Sequence, residues 1–208
     1  MNTVFTYNQE EAAQIGGGTY VTKSGGYDFK VSSAKFVNST NSQARALEMD
    51  LETRDGLKCN YVSINFVNGQ GNANPYGNKL IQSIMGCAGV QMLNEDQQGN
   101  CPNLTGQFFK AVVQRIDYTK TGGAKAGEDG YKFEIKLPAH INTGKTVKET
   151  LDNAPATAFE KYASTIEDKD ERTGGGQNQQ YNAPHQQHAP QQQPQYNEPN
   201  NPMDFDDD

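Results

Sequence analysis

The chain predicts a mainly β fold: a five-stranded barrel with one helix between strands three and four, followed by a disordered C-terminal tail. Three observations carry this expectation. From residue 27 to residue 137, apolar and polar residues alternate in short runs separated by Gly, Asn and Asp, which is the period of half-buried strands. One segment, 78–90, changes to a spacing of three and four. From Thr173 onward the chain turns to Gly, Gln, Asn, Pro and His, with no Lys or Arg and almost no aliphatic side chain to bury. A mean hydropathy of -0.85 and 34% hydrophobic residues are low for 208 residues that all pack, and the tail accounts for the shortfall.

Strand one starts at Tyr27-Asp-Phe-Lys-Val31 and runs on toward Phe36 and Val37, with a change of parity at Ser32 and Ser33 that a bulge would produce. Strand two, 46–51, sets Leu47, Met49 and Leu51 against Glu48 and Asp50, and Arg54-Asp-Gly56 turns the chain back. In strand three, 59–67, Val62, Ile64 and Phe66 face inward and Tyr61, Ser63 and Asn65 outward, up to the break at Asn68-Gly-Gln-Gly71. The helix over 78–90 gathers Leu80, Ile81, Ile84, Met85 and Ala88 on one face, with Asn78 as its expected cap and Gly89 as its end. Strand four, 108–118, is apolar on both faces, and the adjacent Phe108 and Phe109 force one ring out of the core. Strand five, 131–137, opposes Tyr131, Phe133, Ile135 and Leu137 to Lys132, Glu134 and Lys136, across a mobile loop at 122–127. Beyond Pro138 a short helix is expected within 154–166. This element order is that of the OB barrel, although five strands and a helix also fit other α+β sandwiches. The resulting division is an N-terminal arm 1–18, an OB-like domain 19–170, a disordered linker 171–202 and an acidic tip 203–208.

The formal net charge of -7 conceals an internal division. Residues 19–148 carry 15 Lys and Arg against 11 Asp and Glu, whereas 173–208 carry five acids and no base. A mildly basic core is therefore followed by an acidic tail. Cys59, Cys87 and Cys101 share no CxxC spacing and suit buried or half-buried reduced thiols better than a disulfide framework or a zinc site with His140. The chain has no GxxxxGK[ST], HExxH or GxSxG motif, and its Gly clusters precede strands rather than helices. His185 and His188 fall in the tail and His140 in a loop. No catalytic residue, cofactor or metal is expected.

A barrel that holds single strands needs cations to replace phosphate counterions and flat rings on which bases stack. The candidate cations are Lys30, Lys35, Arg54, Lys58, Lys110, Arg115, Lys132 and Lys136. The candidate rings are Tyr61 and Tyr118, with Tyr20, Tyr76 and one of Phe108 or Phe109 as further stackers. Glu48, Asp50 and Glu52 form a carboxylate row on strand two, of the kind that could hold a divalent cation but more commonly a solvated face.

The tail ends Asn201-Pro-Met-Asp-Phe-Asp-Asp-Asp208 after its Gln/Asn/Pro-rich spacer. In this tip, in its spacer and in its strand order, the chain resembles the single-stranded DNA-binding proteins of bacteria and their phages. The resemblance implies a non-catalytic protein that coats exposed single strands during replication, recombination and repair, with little sequence specificity. It also implies that Met203, Asp204, Phe205, Asp206, Asp207 and Asp208 bind replication or recombination proteins, or compete with DNA for the basic domain. Bacterial members continue to a terminal apolar residue; here Phe205 would be the anchor, which leans the expectation toward a phage-encoded protein in the host cytoplasm. No stretch approaches the roughly 18 apolar residues of a membrane span. A replisome adaptor is the alternative from another class, and a nuclease using the strand-two carboxylates is a weaker one.

Overall fold

Strand β1 (Gly25–Asn38) is the centre of the domain, because it is long enough to serve two partners along different parts of its length. A computed structural model of the chain describes residues 19–172; the predicted arm 1–18, the linker beyond 172 and the tip 203–208 lie outside the described residues. β1 pairs antiparallel with β2 (Arg45–Thr53), and β2 with β3 (Lys58–Val67). The N-terminal half of β1 also pairs with β4 (Phe108–Thr119), which pairs in turn with β5 (Asp129–Ala139). The order in the sheet is β3-β2-β1-β4-β5. A two-residue β6 (Lys169–Asp170) runs parallel to β4 at Ile116 and Asp117 and makes the mixed sheet six-stranded among the described residues.

The expected bulge lies between Val31 and Ser33, and it returns Ala34 and Phe36 to the face that Phe29 and Val31 occupy. Beyond Lys30, β1 has no strand partner on its β4 side. The connection before β4 takes that place: Val31 N–H donates to the Gln107 carbonyl at 2.9 Å, Cys101 N–H to Ala34 at 2.8 Å and Phe36 N–H to Gly99 at 2.7 Å. Satisfying these buried edge groups is what keeps a long irregular connection in register. It also delivers Cys101 and Leu104 into the core.

Helix α1 (Pro75–Ala88) lies between β3 and β4 in sequence and buries Ile81, Ile84 and Cys87 in the main core with Leu47, Met49, Val62 and Phe109. Its start corrects the expectation that Asn78 is the cap. Asn74 is, with its side-chain oxygen accepting from Tyr76 N–H at 3.1 Å and Gly77 N–H at 3.3 Å, and Pro75 occupies the first turn, where a missing N–H costs nothing. Asn78 sits inside the helix, donating to the Asn74 and Phe66 carbonyls at 2.8 and 3.2 Å. Gly77 presses against the Asn65 carbonyl, where a Cβ would collide, so the helix is docked tightly on the end of β3.

After β5 come α2 (Val147–Leu151), which the apolar pattern does not announce, and α3 (Ala158–Ala163), the short helix expected within 154–166; the Glu149 carboxylate serves both. Oε2 accepts from Thr146 N–H at 2.8 Å, closing a capping box, and Oε1 accepts from Thr157 N–H at 2.9 Å and Ala158 N–H at 2.8 Å. α3 then lays Phe159 on Val112 and Ala139, forming a second apolar cluster on the opposite side of the sheet from the main core. Gly26 is required beneath it, since an added Cβ would come within 2.9 Å of the Phe159 ring. Among the described residues no helix is long and apolar enough to cross a membrane.

Candidate nucleic-acid interface

On the outer face of β1–β2–β3 the registers align two rows across all three strands, Lys30, Glu52, Lys58 and Lys35, Glu48, Ser63; between them Ser33 pairs with Asp50, which faces a break in the β2–β3 ladder. The carboxylates form a central column and the cations flank it. Each acid is engaged by the domain itself. Lys35 Nζ is 2.9 Å from Glu48, which raises the lysine's pKa; Ser33 Oγ donates to Asp50 at 2.8 Å; Ser32 Oγ donates to Glu52 at 3.4 Å. Among the described residues no group of His, Cys, Asp or Glu converges as a metal site would require. The side chains of Lys30 and Lys58 have no ion-pair or hydrogen-bond partner among the described residues and remain open to an external anion.

Tyr61 is the most exposed aromatic of the domain at 72%, and its backbone explains why. Cys59 pairs with Leu51 and Val62 with Met49, so Asn60 and Tyr61 both stand opposite Asp50 as a bulge. Tyr61 takes φ 58° there, a left-handed conformation that costs a non-glycine residue about 1–2 kcal/mol. Its N–H is held by Asp50 Oδ1 at 3.0 Å. The strain throws the ring off β3 instead of laying it on the sheet, where an external flat group can reach it.

The remaining candidates divide differently. Arg54 and Lys110 share Asp28 at 3.2 and 2.8 Å, and Lys110 also lies 5.1 Å from the centre of the Phe159 ring, under the cover of α3. Lys132 and Lys136 both pair with Glu134, at 2.9 and 2.7 Å. Burial alone would raise the Glu134 pKa, but the two lysines outweigh it and hold the carboxyl below its ordinary value. Arg115 binds Asp117 at 2.8 Å and the Thr22 carbonyl at 2.8 Å, and stacks 4.4 Å from the Tyr131 ring centre. Tyr118 is half-buried beside Gly130. The structure therefore brings Lys30, Lys35, Lys58 and Tyr61 together on one face, and leaves Lys110, Arg115, Tyr118, Lys132 and Lys136 on the β4–β5 side, with Arg54 joined to that side through Asp28.

The adjacent phenylalanines separate as the alternation requires: Phe109 is fully buried and Phe108 is 49% exposed. Tyr76, on the first turn of α1, is also largely exposed. Cys59, Cys87 and Cys101 are buried free thiols, and burial pushes Cys59 up to about 12 and Cys87 up to about 11, so they stay protonated at neutral pH. Sequence patterning missed α2, whose signal was present as Thr146-Val-Lys-Glu149, the spacing of a capping box. Comparison with protein-family models and with curated proteins finds no match for this chain.

Proposed function

We propose that the protein binds single-stranded DNA with little sequence specificity, on the outer face of β1–β2–β3, during replication or recombination. The observation that carries this is Tyr61: an exposed ring at a strained bulge of β3, three residues along the strand from the unpaired Lys58 and across the sheet from Lys30. A ring and two open cations in that arrangement match what a single strand presents, a base face alternating with phosphate. The order β3-β2-β1-β4-β5, with α1 between β3 and β4 and with β3 approaching β5, supports a partly open OB-type barrel. In that fold the strand two and three surface is the oligonucleotide face.

The acidic tail acts in this proposal as a tethered competitor or recruiting arm, with Phe205 and the surrounding aspartates as its contact residues. Electrophoretic shift of an oligo-dT against duplex of the same length is the direct test. Retardation of the single strand alone is expected, weakening as salt is raised. Truncation after Arg172 should leave that affinity equal or tighter at low salt; loss of binding on truncation would overturn the competitor role. The ion pairing of Lys35, Arg54, Lys110, Arg115, Lys132 and Lys136 within the domain favours an adaptor that binds protein, and the absence of any shift would support it.

A further inference from the structure

Phe108 stands at the edge of a groove of about 670 Å³ between the C-terminal end of α1 and the loop that follows β5. Phe108 lines it together with His140, Asn142, Lys145, Thr150 and Asn153. These walls are preformed. The loop closes on itself through His140 N–H to the Lys145 carbonyl at 2.8 Å and Gly144 N–H to the His140 carbonyl at 2.9 Å, with Gly144 at φ 67°. α2, which supplies Thr150, is fixed from one side by the Glu149 clamp and from the other by Val147 against Gly86 of α1.

The chemistry of the groove is the reverse of the β2 carboxylate column. Its lining contains no Asp or Glu, and Lys145 has no side-chain partner among the described residues. Asn142, Asn153, Gln107, Thr150 and His140 offer donors and acceptors of the kind that pair with base edges. Phe108 offers an exposed ring face. The volume falls within the range of about 300–1,000 Å³ in which small organic groups are bound. Phe108 is also the direct register partner of Lys30, so the groove continues the row Lys58, Glu52, Lys30 across the sheet. From β3 to β4 that row spans three strand spacings, about 14 Å, or a few nucleotides of extended strand.

We infer that this groove is a second contact for the bound strand, seating one nucleobase on the Phe108 ring with Lys145 at its phosphate. The inference rests on the single-strand binding proposed above and adds a site outside the β1–β2–β3 face. It gives the protein a place where base identity can be sensed, whereas stacking on Tyr61 is indifferent to sequence.

The chain contains no tryptophan, so a single introduced indole reports one site without background. Full-length Phe108→Trp and Tyr61→Trp are each titrated with dT oligomers of two to about a dozen nucleotides, and indole emission is followed. Quenching of both reporters by the longer oligomers is expected. Adding Lys145→Gln to Phe108→Trp should raise the oligomer concentration needed for half-quenching. In the otherwise unaltered protein, Phe108→Ala should weaken oligomer binding by roughly 5- to 150-fold, the loss of one stacked base. Quenching of Tyr61→Trp with unchanged Phe108→Trp emission would overturn the groove site and leave the proposed function standing. Failure of the unaltered protein to retain any oligomer would remove both.

Discussion

The two outer surfaces of the sheet are built from the same kinds of residue and differ in what lies over them. On the β4–β5 side, Phe159, Ala163 and Ile166 cover Val112, Leu137 and Ala139, and the neighbouring cations Lys110, Lys132 and Lys136 are tied to Asp28 and Glu134. On the β1–β2–β3 side no described residue forms such a cover, Lys30 and Lys58 have no described partner, and Tyr61 is pushed outward at a conformational cost. An ion pair already formed inside the domain offers little to a phosphate, because binding the phosphate requires breaking or sharing it. Cation count therefore says less about a binding face than the fraction of cations left without an internal carboxylate.

The largest effect should come from breaking the cover. Phe159→Ala removes a buried ring from the second apolar cluster and should destabilise the domain by about 3–5 kcal/mol, read as a lower urea midpoint. If the covered side is structural, the variant should bind oligo-dT normally under conditions where it remains folded. A specific loss of strand binding in the folded variant would instead make the β4–β5 side part of the interface.

Tyr61 sharpens the comparison from the other side, because stability and binding should move in opposite directions there. Tyr61→Gly relieves the positive φ and should raise stability by about 1 kcal/mol, since glycine occupies this conformation freely. It should weaken oligo-dT binding by about 1–3 kcal/mol through the lost stack. Tyr61→Ala keeps the strain and loses the ring, so it should weaken binding equally without the gain in stability. A denaturation curve and an anisotropy titration on both variants decide the matter. Equal binding by Tyr61→Gly and the parent protein would remove the ring from the site.

The clamp beneath the cover titrates. Hydrogen bonds from the Thr146, Ala158 and Thr157 backbone N–H groups hold the Glu149 carboxyl at about 2, from an ordinary value of 4.5. Its folded pKa is depressed, so its contribution to stability is complete above about 4.5 and is lost as pH falls toward 2. Thermal melts across that window should show the parent protein losing stability with acid, and Glu149→Gln should be less stable at neutral pH with a flatter acid limb. Identical acid limbs in the two proteins would show that other carboxylates govern the loss.

Much of the core was legible in the alternation itself: Leu47, Met49 and Leu51, then Val62 and Ile64, then Phe133 and Ile135 are buried where the period puts them, and the parity change at Ser32 and Ser33 is a bulge. Three things were not legible, each for a physical reason. The start of α1 is fixed by Asn74 and Pro75, whose capping chemistry lies outside the apolar stripe that suggested Asn78. The bulge at Tyr61 leaves no mark, because Asn60 and Tyr61 carry no glycine to announce a left-handed residue. The ion pair that withdraws Lys110 depends on Asp28, its register partner on a strand some eighty residues earlier, which a sequence does not place beside it. Lys132 and Lys136, by contrast, flank Glu134 at i±2 on one strand face, where the pattern already set them. Candidate cations can thus be chosen by sign and still divide into free and occupied sets once the sheet is assembled.

The smallest effect, and the most direct probe of that division, is the salt dependence of oligo-dT binding. Each phosphate contact contributes a slope of about 0.7 in log affinity against log salt for a single strand. Lys30→Gln and Lys58→Gln, both on open lysines, should each reduce the slope by close to that amount and weaken binding at low salt. Lys132→Gln and Lys136→Gln remove charges already matched by Glu134, so the slope should hold within error. Equal reductions from both pairs would mean that the bound strand displaces Glu134 and runs over β5. In that case the internal ion pairs act as a reserve that a polyanion can open, and the free-cation criterion fails for this fold.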